Sequence, residues 1–291
     1  MVLKKWFFRI GIAAPCVLCI YILLSLFAFS SYVVPTPSMM PTIMPGDRIL
    51  VEKLTTGPRF FSLTEAIRHG NITRLGDCSS IKRNDIIVFN FPFPKGWKHI
   101  RFNYMKFYAK RCIALPGDTL VIHESKNYVM GLTDTLGNMN AQILLSRMTR
   151  DSLRAERYGL PMRTFPRDRQ LGWDLREFGP MYIPRSGDQI EMTHLNFLLY
   201  GKLIEWETNK GIEEKEDGRI VLSDSTELKS YTFDQNYYFV CGDNAVDSQD
   251  SRYWGLVPEE FIAGKALMVW YSYDKFLGRT RWERIGTWLE N

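Results

Sequence analysis

Histidine is scarce: four copies occur in 291 residues, His69, His99, His123 and His194. None stands in an H-E-x-x-H arrangement or at another metal-ligand spacing, so a catalytic metal finds no ligand set. Cysteine is nearly as sparse. Cys16 and Cys19 lie in an apolar stretch, and Cys78, Cys112 and Cys241 are scattered. That spacing gives neither a disulfide framework nor a zinc motif, and all five read as reduced thiols. Strong charge of one sign is also missing: Lys and Arg number 37 against 32 Asp and Glu, a formal +5. This weakly favours anionic lipid and implies no nucleic acid. No internal repeat appears. What is abundant is apolar material, 45% hydrophobic and 14% aromatic, which excludes global disorder.

Charge is wholly absent between Arg9 and Asp47, and Ile10 to Val34 is rich in Ile, Leu, Phe, Ala and Val. A bilayer needs about 20 apolar residues, so this stretch reads as a transmembrane helix over 10–34. Lys4, Lys5 and Arg9 precede it, which leaves 1–9 cytoplasmic and puts the rest of the chain across the membrane. Ala28-Phe29-Ser30 offers the alternative of a cleaved signal peptide, whose apolar core usually spans only about 7 to 15 residues. An uncleaved anchor fits the length better. Trp6, Phe7, Phe8 and Tyr32 suit an interfacial aromatic belt.

Pro35 and Pro37 enforce an extended backbone just beyond the span. Strands are then expected at Arg48–Lys53, Asp85–Phe91, Tyr104–Leu115, Thr119–Ile122, Tyr237–Val240 and Ala263–Tyr273. Asp85–Phe91 reads as buried on both faces, and Pro116-Gly117-Asp118 as the turn of a hairpin. A short helix is expected near Ser62 to His69. The expected fold is an all-β catalytic domain, 35–123 and 236–273, interrupted by an inserted β-rich region over 124–235. The tail, 274–291, places Trp282, Ile285, Trp288 and Leu289 among charges, a pattern fitting an amphipathic membrane-contact helix or packing on the domain.

Ser38 lies in Pro35-Thr36-Pro37-Ser38-Met39-Met40-Pro41-Thr42, where prolines restrict the direction of one hydroxyl. On its own it fits a turn serine bonding its own backbone better than a nucleophile. A serine nucleophile needs a base. No histidine stands in a suitable setting, whereas Lys110 sits in the apolar strand Tyr108-Ala109-Lys110-Arg111-Cys112-Ile113, sharing a face with Tyr108 and Cys112. Burial there lowers a lysine's pKa and makes the neutral amine available as base. The bland reading is an edge lysine that snorkels to water.

Two further segments change the balance. Lys110-Arg111-Cys112-Ile113-Ala114-Leu115-Pro116-Gly117-Asp118 and Gly242-Asp243-Asn244-Ala245-Val246-Asp247-Ser248-Gln249-Asp250-Ser251-Arg252-Tyr253-Trp254-Gly255 join the Ser38 segment and Asp85 to Phe89. In this order they resemble the boxes of the type I signal peptidases, over about a third of the chain. The resemblance implies a signal-peptidase-like β-fold with one N-terminal transmembrane helix and a Ser/Lys dyad that uses no metal or cofactor. It implies Ser38 as nucleophile, Lys110 as general base, and the Thr36 hydroxyl and Ser38 amide as oxyanion hole. Ser248 matches the serine that orients the lysine, and Asp250 and Arg252 a structural ion pair. Thr36 replaces a serine common there, Pro37 stands where many members have glycine, and Ala245-Val246 replaces a polar pair.

The implied activity is removal of signal peptides from exported preproteins, cut after small residues in an A-x-A-like pattern. The implied location is the bacterial cytoplasmic membrane, with the catalytic domain on the periplasmic side. The expected partners are preproteins and the lipid bilayer, with no nucleic acid and no metal. Three alternatives carry different signatures. A peptidase dedicated to one precursor shares every residue named. A non-catalytic tethered β-domain would have lost a dyad residue. A self-cleaving repressor needs a DNA-binding region where this chain has an apolar span.

Overall fold

The computed structural model describes residues 2–62, 72–76, 78, 81–151, 155 and 157–289, with side chains from Pro15 onward. Helix α1 (Val2–Phe27) leads, after one residue, into strand β1 (Phe29–Val33). The expected span over 10–34 is therefore corrected at its end. Phe29-Ser30-Ser31-Tyr32-Val33 pairs antiparallel with β2 (Asp47–Glu52), from Phe29 opposite Glu52 to Val33 opposite Arg48. Its aromatic, β-branched and serine content suits a half-exposed sheet edge better than a helix. Among the described residues, no helix is long and apolar enough to cross a membrane.

A small hairpin follows, β3 (Arg59–Phe60) with β4 (Thr73–Arg74). The helix expected near Ser62 to His69 falls on residues 63–71, outside those described. The main sheet then gains β5 (Ile86–Asn90) and β6 (Phe107–Ala114). As expected, β5 is buried throughout. Alternation explains this: Ile86 and Val88 face one core with Ile49, Val51 and Val269, while Ile87 and Phe89 face the larger core with Trp254 and Phe261.

Pro116-Gly117-Asp118 does not close the hairpin read from it. β6 pairs with β5, whereas β7 (Thr119–His123) pairs with β8 (Lys126–Val129) and β9 (Phe178–Tyr182) in a separate three-stranded sheet. The turn carries the chain out of the main sheet. Gly117 adopts φ +91°, a conformation that favours glycine.

The region 124–235 is mixed rather than β-rich. It adds β10 (Gln189–Glu191) paired with β13 (Ser230–Thr232), and β11 (Ile212–Glu214) paired with β12 (Ile220–Leu222). Helix α2 (Met139–Thr149) lies between β8 and β9, and helix α3 (His194–Thr208) between β10 and β11. Phe197-Leu198-Leu199-Tyr200, a short apolar run inside the region expected to be β-rich, is in α3. The decisive signals are polar caps: Asn138 accepts from the Ala141 amide at 3.3 Å and Thr193 from the Asn196 amide at 3.2 Å. A short apolar run alone does not separate helix from strand.

The chain returns as β14 (Tyr237–Cys241), a one-turn helix α4 (Ser251–Trp254), β15 (Val257–Pro258) and the long β16 (Ile262–Asp274). The tail is not a helix. It forms β17 (Arg279–Thr280), a 3₁₀ turn at Trp282–Arg284 and β18 (Thr287–Trp288), both strands pairing with β16. Gly278 and Gly286, at φ +63° and +85°, interrupt any helical run. The main sheet runs β1-β2-β16-β5-β6-β14-β15. It curls enough that Tyr32 of β1 meets Phe107 of β6, ring centroids 4.7 Å apart, across three intervening strands. No disulfide joins the five cysteines.

Candidate active site

The curl brings the segment after β1 over β6. Thr36 is extended (φ −116°, ψ 154°) and Pro37–Met39 makes a single 3₁₀ turn with Ser38 at its centre. Pro37 suits the first position of such a turn, where its fixed φ is already correct and no amide is needed. Met39 and Ile43 plug the smaller core and anchor the loop from below. From the side, the Asn244 amide donates to the Ser38 carbonyl at 3.1 Å and Asn244 Nδ2 to the Pro37 carbonyl at 3.2 Å. Thr42 Oγ1 donates to Asp243 Oδ2 at 2.5 Å, and Arg111 grips the same carboxylate with two bonds of 2.6 Å. The 242–244 turn is thus the bracket on which the serine loop is mounted.

Lys110 projects from β6 with 2% of its surface exposed. Its Nζ donates to Ser38 Oγ at 2.5 Å and to Ser248 Oγ at 3.1 Å. Burial lowers its pKa to about 8; Asp250 nearby opposes the fall and Arg252 assists it. Asp250 and Arg252 form a fully buried pair, Nε to Oδ1 and Nη2 to Oδ2, both 2.8 Å. Asp250 also accepts from the Gly242 amide at 2.9 Å and caps α4. Burial raises the Asp250 carboxyl, but the Arg252 charge and bonds more than reverse this and hold it below the usual carboxylate range. Neither partner hydrogen-bonds Lys110 in the structure.

Thr36 Oγ1 lies 3.4 Å from Ser38 Oγ, at the mouth of a cavity of about 340 Å³. Its walls are β1 on one side and β6 on the other, with Val34, Ile49, Val88 and Ala109 supplying an apolar lining. The residues named from the sequence therefore converge: Ser38, Lys110 and Thr36 line the cavity, Ser248 meets the buried Lys110 amine, and the Asp250–Arg252 pair is buried nearby. The Ala245-Val246 departure is explained by packing, since Ala245 is buried in the larger core with Val246 against it, and the Ala245 carbonyl accepts from Arg252 at 3.1 Å.

Sequence reasoning assigned no role to Gly242, Asn244, Asp243, Arg111 or Thr42. Each lies in one of the segments that resemble the family's boxes, yet no local pattern marked what it does. Gly242 is the most constrained: a Cβ there would stand 2.2 Å from Ser248 Oγ and 2.4 Å from the Ser38 carbonyl oxygen. Gly242→Ala must displace both serines, so kcat/KM is expected to fall by about 100-fold, the effect of misplacing reacting groups by about 1 Å. Near-wild-type turnover in that variant would show that the two serines need not stand where they do.

The family model for "Signal peptidase, peptidase S26" matches residues 3–154 and 183–271. The chain belongs to the signal peptidase S26 family. Among curated relatives, signal peptidase I of Buchnera aphidicola subsp. Schizaphis graminum is 28% identical over 277 residues, covering 94% of this chain and 77% of the relative. Signal peptidase I of Aquifex aeolicus is 26% identical over 253 residues, covering 83% and 75%. A crystal structure of a signal peptidase I from Enterococcus faecalis aligns with 64% of this chain and 95% of its own, at 20% identity and a TM-score of 0.30. As an S26 member the chain is a serine endopeptidase, and its fold is the mostly β signal-peptidase type.

Proposed function

We propose that this S26 peptidase removes signal peptides through a Ser38/Lys110 dyad, on the outer side of a membrane that helix α1 spans once. The observation that carries the dyad is Lys110 Nζ, buried and held between Ser38 Oγ at 2.5 Å and Ser248 Oγ at 3.1 Å. In its neutral form Lys110 takes the Ser38 proton as Oγ attacks the scissile carbonyl. The Thr36 hydroxyl and Ser38 amide receive the developing oxyanion. Protonated Lys110 then delivers its proton to the departing amine, leaving an ester on Ser38. Neutral once more, it takes a proton from the water that hydrolyses that ester. Ser248 orients the amine, while Asp250 and Arg252 shape the field and the backbone around it.

The single-pass topology rests on α1 taken together with the sequence before Pro15: the described residues alone are too short to cross a membrane, and the uncharged run from Ile10 supplies the missing length. Its described apolar residues, including Val17, Leu18, Ile20, Tyr21, Leu23 and Leu26, are exposed on all sides with no core to cover them. A helix apolar all round is buried in protein or in lipid, and none of the described residues of this chain covers these. The basic residues Lys4, Lys5 and Arg9 before the apolar run support a cytoplasmic N-terminus.

The test is a preprotein carrying an A-x-A site, incubated with the full-length chain and followed by mass. Cleavage directly after the last small residue is expected. Replacing that residue by phenylalanine should slow the reaction by about 100-fold or more, the discrimination expected of a peptidase that cuts after small residues. Cleavage elsewhere, or indifference to the bulky residue, would overturn the assignment of substrate.

A further inference from the structure

Helix α1 is joined to the catalytic sheet by one buried residue, Ala28, and not by a flexible linker. The Ala28 amide closes the last helical turn on the Leu24 carbonyl at 2.9 Å, and its own carbonyl accepts from the Lys53 amide at 2.8 Å. This continues the β1–β2 ladder by one pair beyond Phe29 and Glu52. The Lys53 side chain then turns back. Its Nζ donates to the Ser25 carbonyl at 2.8 Å and to the Leu26 carbonyl at 3.4 Å, two acceptors left open at the helix end. The last turn of α1 holds no basic residue of its own. Lys53 thus supplies, from β2, the cation that a helix C-terminus favours. Phe60 of β3 adds a second brace, its ring 5.8 Å from that of Phe27.

These contacts tie the end of the helix to the sheet. Ser38 lies eleven positions past Phe27, five of them in β1, so the helix end and the nucleophile keep a set separation. We propose that Lys53 is a positioning residue that locks α1 against the catalytic sheet, so that the height of Ser38 over the bilayer selects preproteins by the length of their own apolar segment. This rests on the reading that α1 spans the membrane and Ser38 cuts. A preprotein anchored in the same bilayer presents its scissile bond at a height set by that length. A rigid enzyme accepts a narrow range, and a loosened one a broad range.

The test uses the full chain in phosphatidylcholine/phosphatidylglycerol vesicles, as wild type, Lys53→Met and Lys53→Arg. Substrates are preproteins with one cleavage site and graded apolar lengths, together with a short soluble peptide bearing the same site. Wild type should show a peaked length profile. Lys53→Met should reduce the ratio of best to worst length by about tenfold, while Lys53→Arg retains the peak and peptide kcat/KM stays within about twofold throughout. An unchanged profile in Lys53→Met, a flat wild-type profile, or an equal loss on the peptide would each overturn the proposal.

If wild type fails even on the peptide, the reading of the site falls and the clamp is judged by distance alone. Spin labels on Cys19, in a Cys16→Ser background, and on Tyr128→Cys report it. A narrow distribution that broadens with Lys53→Met supports the lock, and equal widths overturn it.

Discussion

Lys110→Met and Ser38→Ala are each expected to abolish cleavage, by on the order of 10⁴-fold or more in kcat, since residues acting as one unit each cost nearly the whole. Lys110→Met should also make the protein more stable. A lysine whose pKa is held at about 8 by burial is destabilising while protonated. Each tenfold change in a protonation constant is worth about 1.4 kcal/mol, so the burden at neutral pH is about 3 kcal/mol. The sign follows from proton counts. Below about 8 both folded and unfolded chains hold the proton, and the burden is at its full value. Between about 8 and the ordinary lysine value the unfolded chain binds more protons, so wild-type stability rises with pH. Denaturant unfolding of wild type and Lys110→Met should therefore differ most below pH 8 and converge above it. In the same terms, wild-type kcat/KM should climb with pH on a limb centred near 8, as neutral Lys110 accumulates. A Lys110→Met protein that retains activity would end the dyad assignment, and one no more stable than wild type would end the account of the buried amine.

What was legible from residues and what was not divide along physical lines. Strands β2, β5, β14 and β16 were readable because period-two burial or continuous apolar runs leave a mark in one dimension. The dyad was readable for a different reason. A buried lysine and a serine between prolines each have an ordinary reading on their own, and it was the ordered resemblance of four segments to the type I signal peptidase boxes that singled out Ser38 and Lys110. β1 was misread as helix because Phe29 to Val33 extends an uncharged run, and the partner that makes it a strand, β2, lies beyond an intervening loop. α3 was misread because its apolar run carries no dominant face, while its capping threonine was the better signal. The bracket of Asp243, Arg111, Asn244 and Thr42 was invisible for want of any local rule. It joins positions 132 and 201 residues apart, and only the curled sheet brings them together. Lys53 belongs with these, since its role is defined by carbonyls 27 and 28 positions away.

Asp250→Asn is expected to be the most destabilising change near the site. Both charges of the Asp250–Arg252 pair are buried, with two bonds of 2.8 Å between them. Removing one partner of such a pair leaves the other uncompensated, at a cost of about 3–5 kcal/mol. In a chain of this size that lowers Tm by about 10 °C. The kinetic consequence is separable. Asp250 raises the pKa of Lys110 and Arg252 lowers it, so with the carboxylate gone the lysine moves below its value of about 8. The rising limb of the pH profile should shift toward acid, even as the residual folded fraction falls. Taking both charges away, in Asp250→Asn with Arg252→Met, removes the orphaned cation. That double variant should recover part of the lost stability and bring the limb back toward its original position, a reversal that loss of packing alone does not produce. A limb unmoved in Asp250→Asn would mean that the pair serves only to hold Gly242 and α4 in place.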